Sequence, residues 1–196
     1  MQRATRGRIA RGHRLKSILE EQDVFKRRLK FLCFLAEKLR LRGVDLILVG
    51  GEAVEFYTHG QFTTADIDIL VPSVGGRDTA MAILRQLGFK PSGRVMFNRE
   101  IGMAVDVLER LLSGAPEKVK KVELEEGWFR VIGIEDLLVE RLVMTKHCGE
   151  RKQAETALAL FKVAPRLDIS YLKKRARSQN VADLLEVILD TDRRRQ

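Results

Sequence analysis

The chain has 196 residues, a net charge of +9 and only two cysteines. That suits one domain, or one domain with a small appendage, with a core able to hold without disulfides. Cys33 and Cys148 share no CxxC spacing, which argues against a structural zinc site and for reduced thiols in a cytoplasmic protein. No apolar run reaches the roughly 18 residues of a membrane helix, and the arginine-rich start lacks the apolar stretch of a secretory signal.

The charge is localised. Residues 1–42 hold 13 Lys/Arg against 4 Asp/Glu, and the remainder holds 23 of each. Residues 1–14 therefore read as a basic arm without stable structure. Such an arm suits RNA, a tRNA or another polyanion through counterion release. It equally suits a solvated tail, because no aromatic pattern is interleaved with the charge.

From Leu15 a helical pattern begins. Leu15, Leu19, Gln22, Phe25, Leu29, Leu32, Ala36 and Leu39 recur at steps of three and four, and Gly43 is the stop signal. The stripe fits packing on the core, or a seam in a homodimer. Residues 44–49 read as a buried strand that runs into Gly50-Gly51. A helix is expected over 52–59 and a strand over 66–71, then a turn from Pro72 and a helix over 77–88. Two strands, 95–99 and 103–109, form a hairpin through Glu100 to Gly102. Residues 110–127 are polar and irregular, and 128–132 is a further strand. Helices follow at 135–148, 151–163, 168–178 and 181–190, with Pro165 separating two of them. The expected fold class is α+β with an α/β-type core: a mixed sheet of four or five strands flanked by helices. The expected parts are the arm at 1–14, an N-terminal helix with the sheet core at 15–134, and a helical part at 135–196 packed on it.

Chemistry concentrates around Asp66 and Asp68. Alternation along a strand puts both on one face, with Ile67 and Ile69 on the other. Two carboxylates at that spacing converge on hard divalent cations, and Asp106, between Val105 and Val107 on a later strand, is a third candidate ligand. Upstream, Gly50-Gly51 leaves bare backbone at a helix start, where N–H groups favour phosphate. Fourteen residues separate Gly51 from Asp66. Elsewhere the signals are weaker. His59 suits a helix cap or a pocket wall. His147 and Cys148 are adjacent on a helix and do not face each other. Trp128 suits packing or stacking on a base.

The set LVGGEAVEFYTHGQFTTADIDILV, followed by MAVDVLE, resembles the nucleotidyltransferase superfamily with a DNA-polymerase-beta-like palm. The resemblance covers about residues 44–109. It looks nearest to the small prokaryotic branch with minimal and toxin–antitoxin or abortive-infection nucleotidyltransferases. The segment IEDLLVERLVMTKHCGERKQAETALAL is similar to the helices that follow the palm there. The resemblance implies transfer of a nucleoside monophosphate from an NTP to a hydroxyl on an RNA or tRNA end, a protein or a small molecule. Asp66, Asp68 and Asp106 would be catalytic and would hold Mg²⁺ or Mn²⁺, as two ions, with Asp106 helping to activate the hydroxyl. Gly50, Gly51, Thr64, Lys146 and Arg151 would bind the nucleotide. The chain departs from the pattern at position 51, where many members carry a phosphate-binding Ser, and at Ala65. Thr63 or Thr64 is the candidate to supply a hydroxyl in place of a polar residue at 65. The alternative is a catalytically degenerate palm that binds nucleic acid or a cognate toxin–antitoxin partner.

Overall fold

A computed structural model describes residues 15–108 and 111–193. The basic arm at residues 1–14 lies outside the described residues. The first helix divides in two. Residues 15–20 form α1 and Val24–Arg40 form α2, where the sequence pattern predicts one helix. The break comes at Asp23, whose side chain accepts the Lys26 N–H at 3.1 Å. A carboxylate at that position starts a new helix instead of continuing the old one. The break also resets the register. Ile18 is buried, while Leu19 and Gln22 of the expected stripe are exposed. In α2 the stripe holds, and Leu29, Leu32, Ala36 and Leu39 are buried in the chain's own core, so it offers no dimer seam.

The remaining order is β1 (Ile47–Leu48), α3 (Gly50–Tyr57), β2 (Asp66–Leu70), α4 (Gly76–Gln86), β3 (Lys90–Ser92), β4 (Val95–Asn98), β5 (Met103–Leu108), β6 (Lys120–Leu124), β7 (Gly127–Val131), and helices α5 (Ile134–Cys148), α6 (Arg151–Val163), α7 (Ile169–Ser178) and α8 (Ala182–Arg193). One mixed sheet holds seven strands in the order β3-β4-β5-β2-β1-β7-β6, against the four or five expected. The two unexpected strands lie at its edges. Lys90–Ser92 carries a proline and is fully exposed, and Lys120–Leu124 carries two lysines. Edge strands bury little and tolerate Pro and Lys, so their sequences lack the apolar alternation of a central strand.

At the centre, β2 runs parallel to β5 and antiparallel to β1, and β1 runs parallel to β7. Helix α2 lies against β7 and α4, α3 lies against β2, and α5 joins α3 to α6 and α7. The buried apolar residues make one cluster from Ile18 to Leu189, with Phe31, Phe89 and Phe129 among its largest members. Among the described residues no helix is long and apolar enough to cross a membrane.

Candidate active site

The two-residue period of β2 does what its sequence implies. Ile67 and Ile69 are buried at 1% and 0% exposure, and the alternate positions Asp66 and Asp68 stay half-buried. The parallel register then pairs Asp68 with Asp106 and Asp66 with Ala104. Carboxylate oxygens of Asp66, Asp68 and Asp106 come within 4.8 Å of one another. Three like charges at that separation repel, which is stable only with compensation.

Compensation comes from several directions. Asp68 Oδ2 accepts the Gly51 N–H at 2.9 Å, and the Asp68 carbonyl accepts the Val49 N–H at 3.0 Å. Thr64 Oγ1 donates to Asp66 Oδ1 at 3.3 Å. Arg94, in the turn between β3 and β4, places Nη2 3.2 Å from Asp66 Oδ2 and Nε 3.3 Å from Asp106 Oδ2. Burial pushes the Asp68 carboxyl up to about 6. The Gly51 N–H opposes that shift, the Asp66 and Asp106 charges reinforce it, and Arg141 opposes it. The Arg94 guanidinium is held above its usual range, chiefly by the hydrogen bond to Asp66.

The glycines are required by this geometry. Gly50 has φ +63°, and a Cβ there would lie 2.1 Å from Asp68 Oδ2. Gly50→Ala is therefore expected to lose about 1–3 kcal/mol from the left-handed backbone alone, and to displace Asp68 as well. Urea unfolding checks the first effect and Mn²⁺ titration the second; a variant equal to wild type in both would show that Asp68 has room to move. A Cβ at Gly51 would meet Thr64 Oγ1 at 2.8 Å. The Thr64 hydroxyl thus fills the space that a side chain at 51 would need.

Beneath the site lies a buried ion cluster that the sequence did not reveal. Arg28 of α2 donates to Glu52 Oε2 at 3.1 Å, Glu55 Oε2 at 3.0 Å and the Thr64 carbonyl at 2.8 Å. Glu55 Oε2 also accepts the Thr64 N–H at 3.1 Å. The loop that delivers Thr64 to Asp66 is thereby fastened to α2 and α3 at both its N–H and its carbonyl.

The structure does not bring every expected residue to the carboxylates. Lys146 Nζ donates to the Asn180 carbonyl, and Arg151 pairs with Glu155 at 2.9 Å while remaining 92% exposed. The α5 cation that acts on Asp68 is Arg141. It is 8% exposed, bonded to Glu140 at 2.7 Å and Gln153 at 3.3 Å, with its Nε buried and unpartnered. The adjacent Glu140-Arg141 pair, flanked by Leu137 to Val139 and Leu142 to Met144 in α5, is the signal that points to it. Trp128 lies under the Arg40 guanidinium at 3.6 Å and beside Lys121 at 4.7 Å, which is packing within this chain. Cys33 is buried and Cys148 is exposed.

The donor set is oxygen only and compact. It fits Mg²⁺ or Mn²⁺, which favour carboxylates, and among the described residues the cluster includes no softer ligand to select zinc.

No protein family model and no curated protein matches the sequence. Solved structures do match in shape. A nucleotidyltransferase-like antigenic protein from Paracoccidioides brasiliensis superposes with a TM-score of 0.57 at 15% identity, over 85% of this chain and 93% of that one. ANT(2″)-Ia in complex with adenylyl-2″-tobramycin gives 0.53 at 13% identity, over 74% and 92%. The solution structure of the antibiotic-resistance factor ANT(2″)-Ia gives 0.51 at 13% identity, over 83% and 97%. The chain thus has the fold of nucleotidyltransferase-like proteins.

Proposed function

We propose that the chain is a metal-dependent nucleotidyltransferase, which moves a nucleoside monophosphate from an NTP to a hydroxyl and releases pyrophosphate. The observation that carries this reading is the convergence of Asp66, Asp68 and Asp106 within 4.8 Å, beside a glycine-led helix start. The likeness of fold supports it. In this reading the acceptor oxygen bonds to the α-phosphorus, the bond between that phosphorus and the α–β bridging oxygen breaks, and pyrophosphate leaves. Divalent ions bound by the three carboxylates would neutralise the triphosphate and lower the pKa of the acceptor hydroxyl.

The chain's own groups have distinct tasks. Asp66, Asp68 and Asp106 would hold the ions. Asp106, opposite Asp68 in the sheet, would also help remove the proton of the acceptor hydroxyl. The bare backbone at Gly50-Gly51 and the Thr64 hydroxyl border the triphosphate. Arg141 supplies a fixed positive charge behind Asp68. Lys146 and Arg151 serve the nucleotide only by leaving Asn180 and Glu155.

The acceptor is open among an RNA end, a protein side chain and a small polyol or aminoglycoside. ANT(2″)-Ia, seen with an adenylylated tobramycin, makes ATP with an aminoglycoside the first pair to try. The test is label transfer from each α-labelled NTP onto a tRNA pool, onto protein and onto an aminoglycoside panel, with Mg²⁺ and with Mn²⁺. Transfer should stop in EDTA and return with metal. In parallel, NTP with Mg²⁺ at about 100 times its dissociation constant should stabilise the fold by about 2.7 kcal/mol. No transfer in any arm and no metal-dependent stabilisation would sink the catalytic reading in favour of a non-catalytic palm.

A further inference from the structure

We propose that Arg94 is an internal cation that occupies the Asp66–Asp106 side of the carboxylate cluster until a divalent ion displaces it, and so sets the metal affinity of the site. The inference rests on the metal-binding reading above. Three observations carry it.

The first is geometric. One guanidinium spans two of the three carboxylates, with Nη2 at 3.2 Å from Asp66 and Nε at 3.3 Å from Asp106. Those two acids do not face each other directly, because Asp106 pairs with Asp68 and Asp66 with Ala104. A planar fork with several fixed donors bridges them with less loss of side-chain freedom than a point charge on a flexible stem. The bonded oxygens are among the electron pairs a cation at this cluster would need.

The second is the contrast in fastening. The Asp68 side chain is held by the Gly51 backbone N–H at the start of α3, and that of Asp66 by the Thr64 hydroxyl. Those partners belong to the fixed frame. Arg94 is 76% exposed and is anchored only in a hairpin turn at the sheet's edge, next to Gly93 at φ +60°. It can leave without moving a core residue.

The third is electrostatic. Exposed ion pairs contribute little individually, and a divalent ion attracts each carboxylate more strongly than a delocalised monovalent cation does. Exchange of arginine for metal is therefore favourable but opposed, and the opposition appears as weaker metal binding. Once released, the guanidinium remains beside the site on an edge hairpin, facing incoming anionic groups.

The test is Mn²⁺ binding, read by electron paramagnetic resonance of the free ion, on the full chain at pH 7.5 and low salt. Wild type is compared with Arg94→Gln, Arg94→Lys and Lys90→Gln. Lys90 is an exposed charge on the same hairpin, so it controls for loss of net charge. Arg94→Gln should tighten Mn²⁺ about tenfold, the scale expected when an exposed guanidinium gives up two ion pairs together. Arg94→Lys should fall between, and Lys90→Gln should change affinity less than about twofold. In EDTA, Arg94→Gln should melt below wild type, because the carboxylates lose a counter-charge, and Mn²⁺ should restore it. Equal Mn²⁺ affinity in wild type and Arg94→Gln overturns the displaceable-cation proposal while leaving the metal site standing. Weaker binding in Arg94→Gln overturns it too, and shows that Arg94 supports the metal. No Mn²⁺ binding in either protein overturns both this proposal and the reading beneath it.

Discussion

Asp66→Ala is expected to lower nucleotidyl transfer by on the order of a thousandfold, with the fold intact. The estimate follows from what the residue would supply. Charge neutralisation by a bound divalent ion is worth several kcal/mol in the transition state, and each 1.36 kcal/mol is about a factor of ten in rate. The fold should survive, because the Asp66 side chain keeps 19% of its surface in solvent and the core-facing neighbours Ile67 and Ile69 are untouched. Removing one of three carboxylates within 4.8 Å of one another also relieves repulsion. Urea unfolding in EDTA should therefore show equal or slightly greater stability. Opposite signs in activity and stability are the mark of a residue kept for function. Transfer at the wild-type rate, or activity that falls only in step with stability, would remove Asp66 from the site.

Arg28→Met is expected to cost about 3–5 kcal/mol, because it leaves a buried carboxylate without its partner. The side chains of Glu52 and Glu55 are 0% and 4% exposed, and that of Arg28 is 14% exposed. Two acids and one guanidinium do not balance as ions. Burial resolves the excess by pushing the Glu52 carboxyl up to about 8 against the opposing pull of Arg28. Near pH 7 Glu52 therefore holds its proton, which leaves the guanidinium to the Glu55 carboxylate. The double variant Arg28→Met/Glu55→Gln should recover part of the loss, since glutamine still offers Thr64 an acceptor. A single-variant cost below about 1 kcal/mol would mean that the cluster behaves as a surface pair.

The same raised group fixes a pH dependence. Between about pH 4.5 and 8 the native state binds one proton at Glu52 that the unfolded chain has released. The unfolded state then binds fewer protons, so stability falls as pH rises through this window. Glu52→Gln should flatten that slope, and urea midpoints taken from pH 5 to 9 measure it.

The parts of the site read from sequence are those governed by local periodicity. Asp66 and Asp68 share a face because strand side chains alternate, and Gly50 is forced by a positive φ that other residues avoid. Asp106 was legible as an acid between two valines, although its register opposite Asp68 required the sheet. Arg94 and Arg28 were not legible. Each reaches the site from an element whose own pattern says nothing about it: an exposed edge turn in one case, and a helix 36 residues upstream of Thr64 in the other. The edge strands β3 and β6 escape the sequence pattern for a related reason, since strands exposed on both faces carry no apolar alternation. The N-terminal helix was over-extended because a stripe of leucines spans the Asp23 cap without showing the break.

The strand order has a consequence for how the molecule comes into being. Asp66 and Asp68 lie on β2, but the strand beside them that carries Asp106 is β5, reached only after α4, β3 and β4 have been laid down. On its other flank β1 waits for β7. Parallel partners far apart in sequence close late in folding, because the intervening loop entropy must be overcome before any pairing gain. A chain emerging from the ribosome thus carries its acidic pair before the third carboxylate has a strand to stand on. The cluster, with its mutual repulsion, is assembled only when β5 has joined β2 in the sheet.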